Sequence, residues 1–143
     1  MSYVVDASVA LRWFLTEERH PHADAVLERM TAEPERFAVP ELFGFEVLSV
    51  LARVHPEPAV ALHDGVLPVL STGILRYPMT PALADRALEL VPHGLSGYDA
   101  CYAALAAELD GTWLTFDRRA HDLIANTGLS ENLWNRMPSD WLG

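Results

Sequence analysis

The apolar run Tyr3-Val4-Val5 ends on a carboxylate, Asp6, and an amphipathic stretch begins just beyond it at Val9-Ala10-Leu11. A short continuous apolar run followed by helical periodicity is the pattern of a buried parallel strand feeding a helix. It puts Asp6 at the carboxyl end of a strand, the edge where open α/β sheets hold their ligands. The rest of the chain repeats the alternation. Strands are expected at about Tyr3–Val5, Phe37–Val39, Ile74–Tyr77 and Thr112–Thr115, with a last short one near Leu133–Arg136. Helices are expected from Ser8 as N-cap through Phe14, after Pro21, over Glu41–Val54 and Ala59–Leu70, from Thr80-Pro81 to Leu90, over Ser96–Leu109 and over Asp117–Asn126. Strands separated by helices need crossover connections. The expected fold class is therefore α/β, a central parallel sheet with helices on both faces, in a single domain over residues 1–143.

Composition narrows the function. The net charge is −10, from 10 basic and 20 acidic residues. That argues against nucleic-acid binding by a broad basic surface and favours cations or a basic partner protein. All the basic residues are arginine. The absence of lysine excludes a P-loop lysine and a Schiff-base lysine. No apolar run reaches the roughly 18 to 20 residues that span a bilayer, and the N-terminus shows no signal-peptide pattern. The lone cysteine, Cys101, sits among alanines and aromatics as a small core residue would. A cytoplasmic protein with no membrane segment is expected.

Most of the acids lie in polar surroundings and are ordinary solvated surface. Four are different. Asp6 closes an apolar strand, although a turn acid before a helix would look the same. Glu46 lies in Leu42-Phe43-Gly44-Phe45-Glu46-Val47-Leu48, a helix apolar on nearly every side. A carboxylate there is costly unless paired or bound to metal; the alternative is a narrow exposed stripe shared with Arg53. Asp99 follows Ser96 at capping-box spacing, and Asp117 can be a helix N-cap. Asp117 nevertheless repeats the strand–acid–helix arrangement of Asp6. Four converging carboxylates need a counter-charge. With no lysine available and oxygen as the only donor, Mg2+ or Mn2+ is the natural one. The six histidines are scattered, apart from His20 and His22, and do not suggest zinc.

These residues resemble the motifs of the PIN-domain family, in particular its VapC-like toxin ribonucleases. Val5-Asp6-Ala7-Ser8-Val9-Ala10-Leu11 with Trp13-Phe14 is similar to the first motif. Pro40-Glu41-Leu42 with Glu46 is similar to the second, Tyr98-Asp99-Ala100 with Tyr102 to the third, and Leu114-Thr115-Phe116-Asp117 to the fourth. The resemblance implies a PIN-like domain and a Mg2+- or Mn2+-dependent endoribonuclease. It implies Asp6 and Asp99 as principal metal ligands, with Glu46 and Asp117 completing the site directly or through water. Ser8 and Thr115 would hold these carboxylates in place. Many relatives carry asparagine three residues after the glutamate, where this chain has Ser49. Arg12, Arg118 and Arg119 are the candidate phosphate contacts. The implied partners are an RNA substrate, a cognate antitoxin and a second copy in a homodimer. The antitoxin would offer a basic segment to the acidic site, and to Trp13 and Phe14 if they are exposed.

Two other readings remain at this stage. One is a different Mg2+-dependent phosphoryl-transfer hydrolase. A haloacid-dehalogenase-like phosphatase needs an aspartate where Ser8 stands, and a response-regulator receiver needs a lysine. The other is a PIN-like module that binds a partner without catalysis.

Overall fold

The computed structural model describes residues 1–141; residues 142 and 143 of the expected domain lie outside the described residues. Five strands form one parallel sheet: β1 (Tyr3–Val5), β2 (Phe37–Pro40), β3 (Leu75–Tyr77), β4 (Thr112–Thr115) and β5 (Ser130–Asn132), in the order β3-β2-β1-β4-β5. Every side chain of β1 and β2 is buried, which is why both read as continuous apolar runs. Around the sheet run α1 (Ala7–Phe14), α2 (Pro21–Ala32), α3 (Leu42–Val54), α4 (Pro58–Ala61), α5 (Leu67–Leu70), α6 (Pro81–Leu90), α7 (Gly97–Glu108) and α8 (Arg118–Ile124).

From β1 the chain steps outward to β2 and β3. It then crosses back to β4 on the other side of β1 and steps outward again to β5. With right-handed crossovers, opposite directions of travel put the connecting helices on opposite faces. The α1–α5 segment therefore covers one face, where α1 packs on α2 and α3, and α6–α8 cover the other, where α6 packs on α7. The reversal between β1 and β4 opens a crevice at their carboxyl ends.

Three expectations are corrected. The cap of α1 is Asp6, whose carboxylate accepts from the Ser8 N–H, and not Ser8. The last strand is Ser130–Asn132, and Leu133–Arg136 do not form one. Leu133 is apolar because it fills the core from the turn after β5, fully buried. The helix expected over Ala59–Leu70 widens into a π-helical stretch at Leu62–Val66 between α4 and α5. There a Cβ on Gly65 would lie 2.2 Å from Phe14 Cε1, so the glycine admits that ring. Among the described residues, no helix is long and apolar enough to cross a membrane.

Candidate active site

The turns after β1 and β4 are bound to each other across the crevice. The Asp6 N–H donates to the Leu114 carbonyl at 3.3 Å, and the Phe116 N–H donates to Ser8 Oγ at 3.0 Å. Thr115 Oγ1 accepts from the Asp117 N–H at 3.0 Å and donates to Asp6 Oδ2 at 2.7 Å. One hydroxyl thus ties the Asp117 turn to the Asp6 carboxylate. Ser8 also supports Asp6, but through its backbone: the Ser8 N–H donates to Asp6 Oδ1 at 2.7 Å.

Asp6 is 7% exposed. Desolvation is the largest influence on its carboxyl, and it outweighs the Ser8 and Thr115 hydrogen bonds that favour the anion. With the charges of Asp99 and Glu46 adding to the effect, its pKa is pushed up to about 6.

Glu46 comes from α3 and is half-buried. Its partner is not Arg53 but the Tyr102 hydroxyl, which donates to Oε1 at 2.6 Å. Burial raises its pKa, with Asp99 adding to the rise and the Tyr102 bond opposing it. Asp99 sits in the first turn of α7, where its N–H donates to the Ser96 hydroxyl at 3.1 Å. The cap and the site position therefore coincide. Burial raises the Asp99 pKa, followed by the charge of Asp117; Ser96 and the Arg119 guanidinium pull it down. Asp117 caps α8, with Oδ1 accepting from the Ala120 N–H at 2.9 Å.

Asp6, Glu46, Asp99 and Asp117 all line one open pocket of about 440 Å³, together with Ser8 and Ser49. Its apolar rim includes Phe45 and Tyr98, 70% and 64% exposed. Among the described residues, no three acidic, histidine or cysteine side chains close into a ready-made metal cage. The acids instead surround the pocket from four elements. Their donor set is oxygen only, which fits a hard divalent cation.

The three candidate phosphate contacts fare differently. Arg119 is exposed, and its charge reaches Asp99. Arg118 is exposed and lies 4.9 Å from the Trp134 ring. None of the three lines the pocket, and Arg12 is held away from it. Its guanidinium lies over the Phe116 and Trp134 rings, and its Nη1 donates to the Glu18 carbonyl at 3.0 Å. Trp13 and Phe14, offered as antitoxin contacts only if exposed, are half-buried against the core, and the Trp13 indole donates to the Ala23 carbonyl.

Two residues of the site were not anticipated from the sequence. Trp113 Nε1 donates to Asp6 Oδ2 at 3.1 Å, and Tyr102 holds Glu46. The signal was spacing. Tyr102 lies three residues after Asp99 on one helix face, and Trp113 lies two before Thr115 on one face of β4.

A sequence profile described as the PIN domain matches residues 3–125. Ribonuclease VapC9 of Mycobacterium tuberculosis is 33% identical over 122 residues, 83% of this chain and 88% of that protein. Ribonuclease VapC3 of Pyrobaculum aerophilum is 28% identical over 125 residues, 83% of this chain and 92% of that protein. In fold, the chain is similar to a toxin–antitoxin complex from Klebsiella pneumoniae, with a TM-score of 0.67 and 20% identity, covering 91% of this chain and 96% of that one. The profile match over most of the chain and the identity to VapC9 show that this chain belongs to the PIN-domain family.

Proposed function

We propose that this protein is an endoribonuclease that hydrolyses RNA phosphodiester bonds with Mg2+ or Mn2+, acting as the toxin of a toxin–antitoxin pair. One observation carries the reading: four carboxylates from separate elements line a single pocket, and the Arg119 guanidinium acts on one of them, Asp99. The ribonuclease relatives support the reaction. The oxygen-only donors support the metal.

Each side chain then has a task. Asp6 Oδ2 already accepts from Trp113 and Thr115, which leaves Oδ1, with one backbone donor, as the oxygen free to take a ligand. Asp99, Glu46 and Asp117 complete the ligand set, directly or through water. Thr115 and the Ser8 N–H keep the Asp6 carboxylate from rotating. A bound divalent ion supplies neutralisation of phosphate charge and a lower pKa for the attacking water. Arg119, with Arg118 beside it, contacts the substrate phosphate, and Arg12 braces Phe116 and Trp134 behind the turn that carries Asp117.

The partner is an antitoxin that presents a basic segment to the acids and an apolar one to the rim at Phe45 and Tyr98. The similarity in fold to the Klebsiella pneumoniae toxin–antitoxin complex supports an antitoxin as partner. We further propose a single PIN domain in a homodimer, working in the cytoplasm.

Purified, partner-free protein should cleave RNA when Mg2+ or Mn2+ is supplied and lose cleavage in EDTA. Undiminished cleavage in EDTA would remove the metal from the account. No cleavage under any metal, with partner binding intact, would favour a non-catalytic module.

A further inference from the structure

Beneath the pocket lies a device that the four acids do not by themselves explain. Trp113 and Tyr102 are almost wholly buried, at 0% and 1% exposure, and their rings stack nearly parallel, 6.1 Å apart at 11°. Each ring spends its one polar atom on a different acid: Trp113 Nε1 on Asp6 Oδ2, and the Tyr102 hydroxyl on Glu46 Oε1. We propose that Trp113 and Tyr102 are positioning residues which, as one stacked unit, set Asp6 and Glu46 relative to each other for the divalent ion. This rests on the metal-dependent reading above.

Three physical points support it. An indole N–H can only donate, so Trp113 can serve Asp6 only as an acceptor and holds it in one rotamer. The Tyr102 hydroxyl lies 2.6 Å from Glu46 Oε1, the length of a charge-assisted O–H···O bond, and donates to it. The backbone fixes both rings. Trp113 pairs with Val4, two residues before Asp6, and Tyr102 is on α7 one turn after Asp99. Helix α7 thereby supplies Asp99 itself, reaches Glu46 through Tyr102, and reaches Asp6 through the ring stacked on Tyr102. Three acids from three elements share one buried support.

The test is Mn2+ binding to the partner-free protein, followed by calorimetry or by the spin-resonance signal of the free ion, with no RNA present. Tyr102→Phe removes only the hydroxyl donor, and Trp113→Phe removes the indole donor while keeping a smaller ring in place. Each should raise the Mn2+ dissociation constant by about tenfold or more, the usual effect of losing a partner behind a metal ligand. Because the rings act as a unit, the double variant should lose less than the product of the two single losses. RNA cleavage should fall in kcat at fixed Mn2+, with KM for RNA unchanged.

A merely structural role would lower Tm and leave the Mn2+ isotherm within twofold of wild type, and that result overturns the proposal. Fully multiplicative losses would overturn the unit, leaving two independent props. If Trp113→Phe fails to fold, the near-isosteric Tyr102→Phe isotherm decides alone. Failure of the wild-type protein to bind Mn2+ would instead strike the functional reading on which this inference stands.

Discussion

Three hydrogen bonds reach the Asp6 carboxylate, and the groups making them are the Ser8 N–H, the Trp113 indole and the Thr115 hydroxyl. An amide in its place must turn its NH2 toward either the Ser8 or the Trp113 donor. Asp6→Asn therefore perturbs packing as well as chemistry. Asp99 makes a cleaner probe: it is half-buried, its backbone N–H bond to Ser96 survives substitution, and only Ser96 and Arg119 favour its anion. The burial of Asp6 also sets a pH dependence. Its folded pKa of about 6 exceeds the ordinary aspartate value of 3.8, so the folded state holds its proton more tightly than the unfolded one. Stability from this group is complete below about pH 4 and is lost as pH rises to about 6, by about 3 kcal/mol in all. Urea unfolding in EDTA should show that decline, and Asp6→Asn should reduce it, with the raised Glu46 and Asp99 carboxyls supplying the remainder. A wild-type stability that climbs between those pH values would contradict the burial of Asp6 as a costly anion.

At the scale of the element, helix starts carry much of the design. Asp6, Thr80, Ser96 and Asp117 each cap a helix with a side-chain acceptor, and Asp6 and Asp117 also line the pocket. Thr80 caps α6, a helix that supplies no residue to that pocket. Its hydroxyl accepts from the Leu83 N–H at 3.1 Å, with Pro81 in the first turn. Thr80→Ala should cost about 1 kcal/mol in denaturant unfolding and leave cleavage unchanged. A loss of cleavage at full stability would mean that α6 bears on the site.

These elements also show what a sequence can and cannot disclose. β1, β2 and β4 were legible because burial on both faces makes strands apolar. β5, Ser130-Glu131-Asn132, was not, because it is a short polar edge strand and the apolar signal belongs to Leu133 beside it. The four acids were legible as carboxylates in the wrong surroundings. The Trp113–Tyr102 support was not, because aromatic residues in apolar segments are ordinary core until a structure shows where their polar atoms point.

For the whole molecule, the charge of −10 and the arrangement of arginines shape how RNA is met. With Arg118 and Arg119 as the phosphate contacts, about two counterions are released. The log–log salt slope should then be shallow, about −1.4 for single-stranded RNA. Binding measured across a salt series at fixed Mg2+ checks this, and a slope steeper than about −4 would reveal a basic surface that the account omits. The topology reserves the site in the same economical way. Reversal of direction between β1 and β4 opens one crevice, and α3 and α7 bring Glu46 and Asp99 to it.

The central claim is that these four carboxylates act together on RNA. The most direct measurement is cleavage by Asp99→Asn beside wild type at saturating Mn2+, with circular dichroism to verify the fold. The expected result is a folded protein whose cleavage has dropped to background. A folded Asp99→Asn that cleaves at the wild-type rate would contradict it.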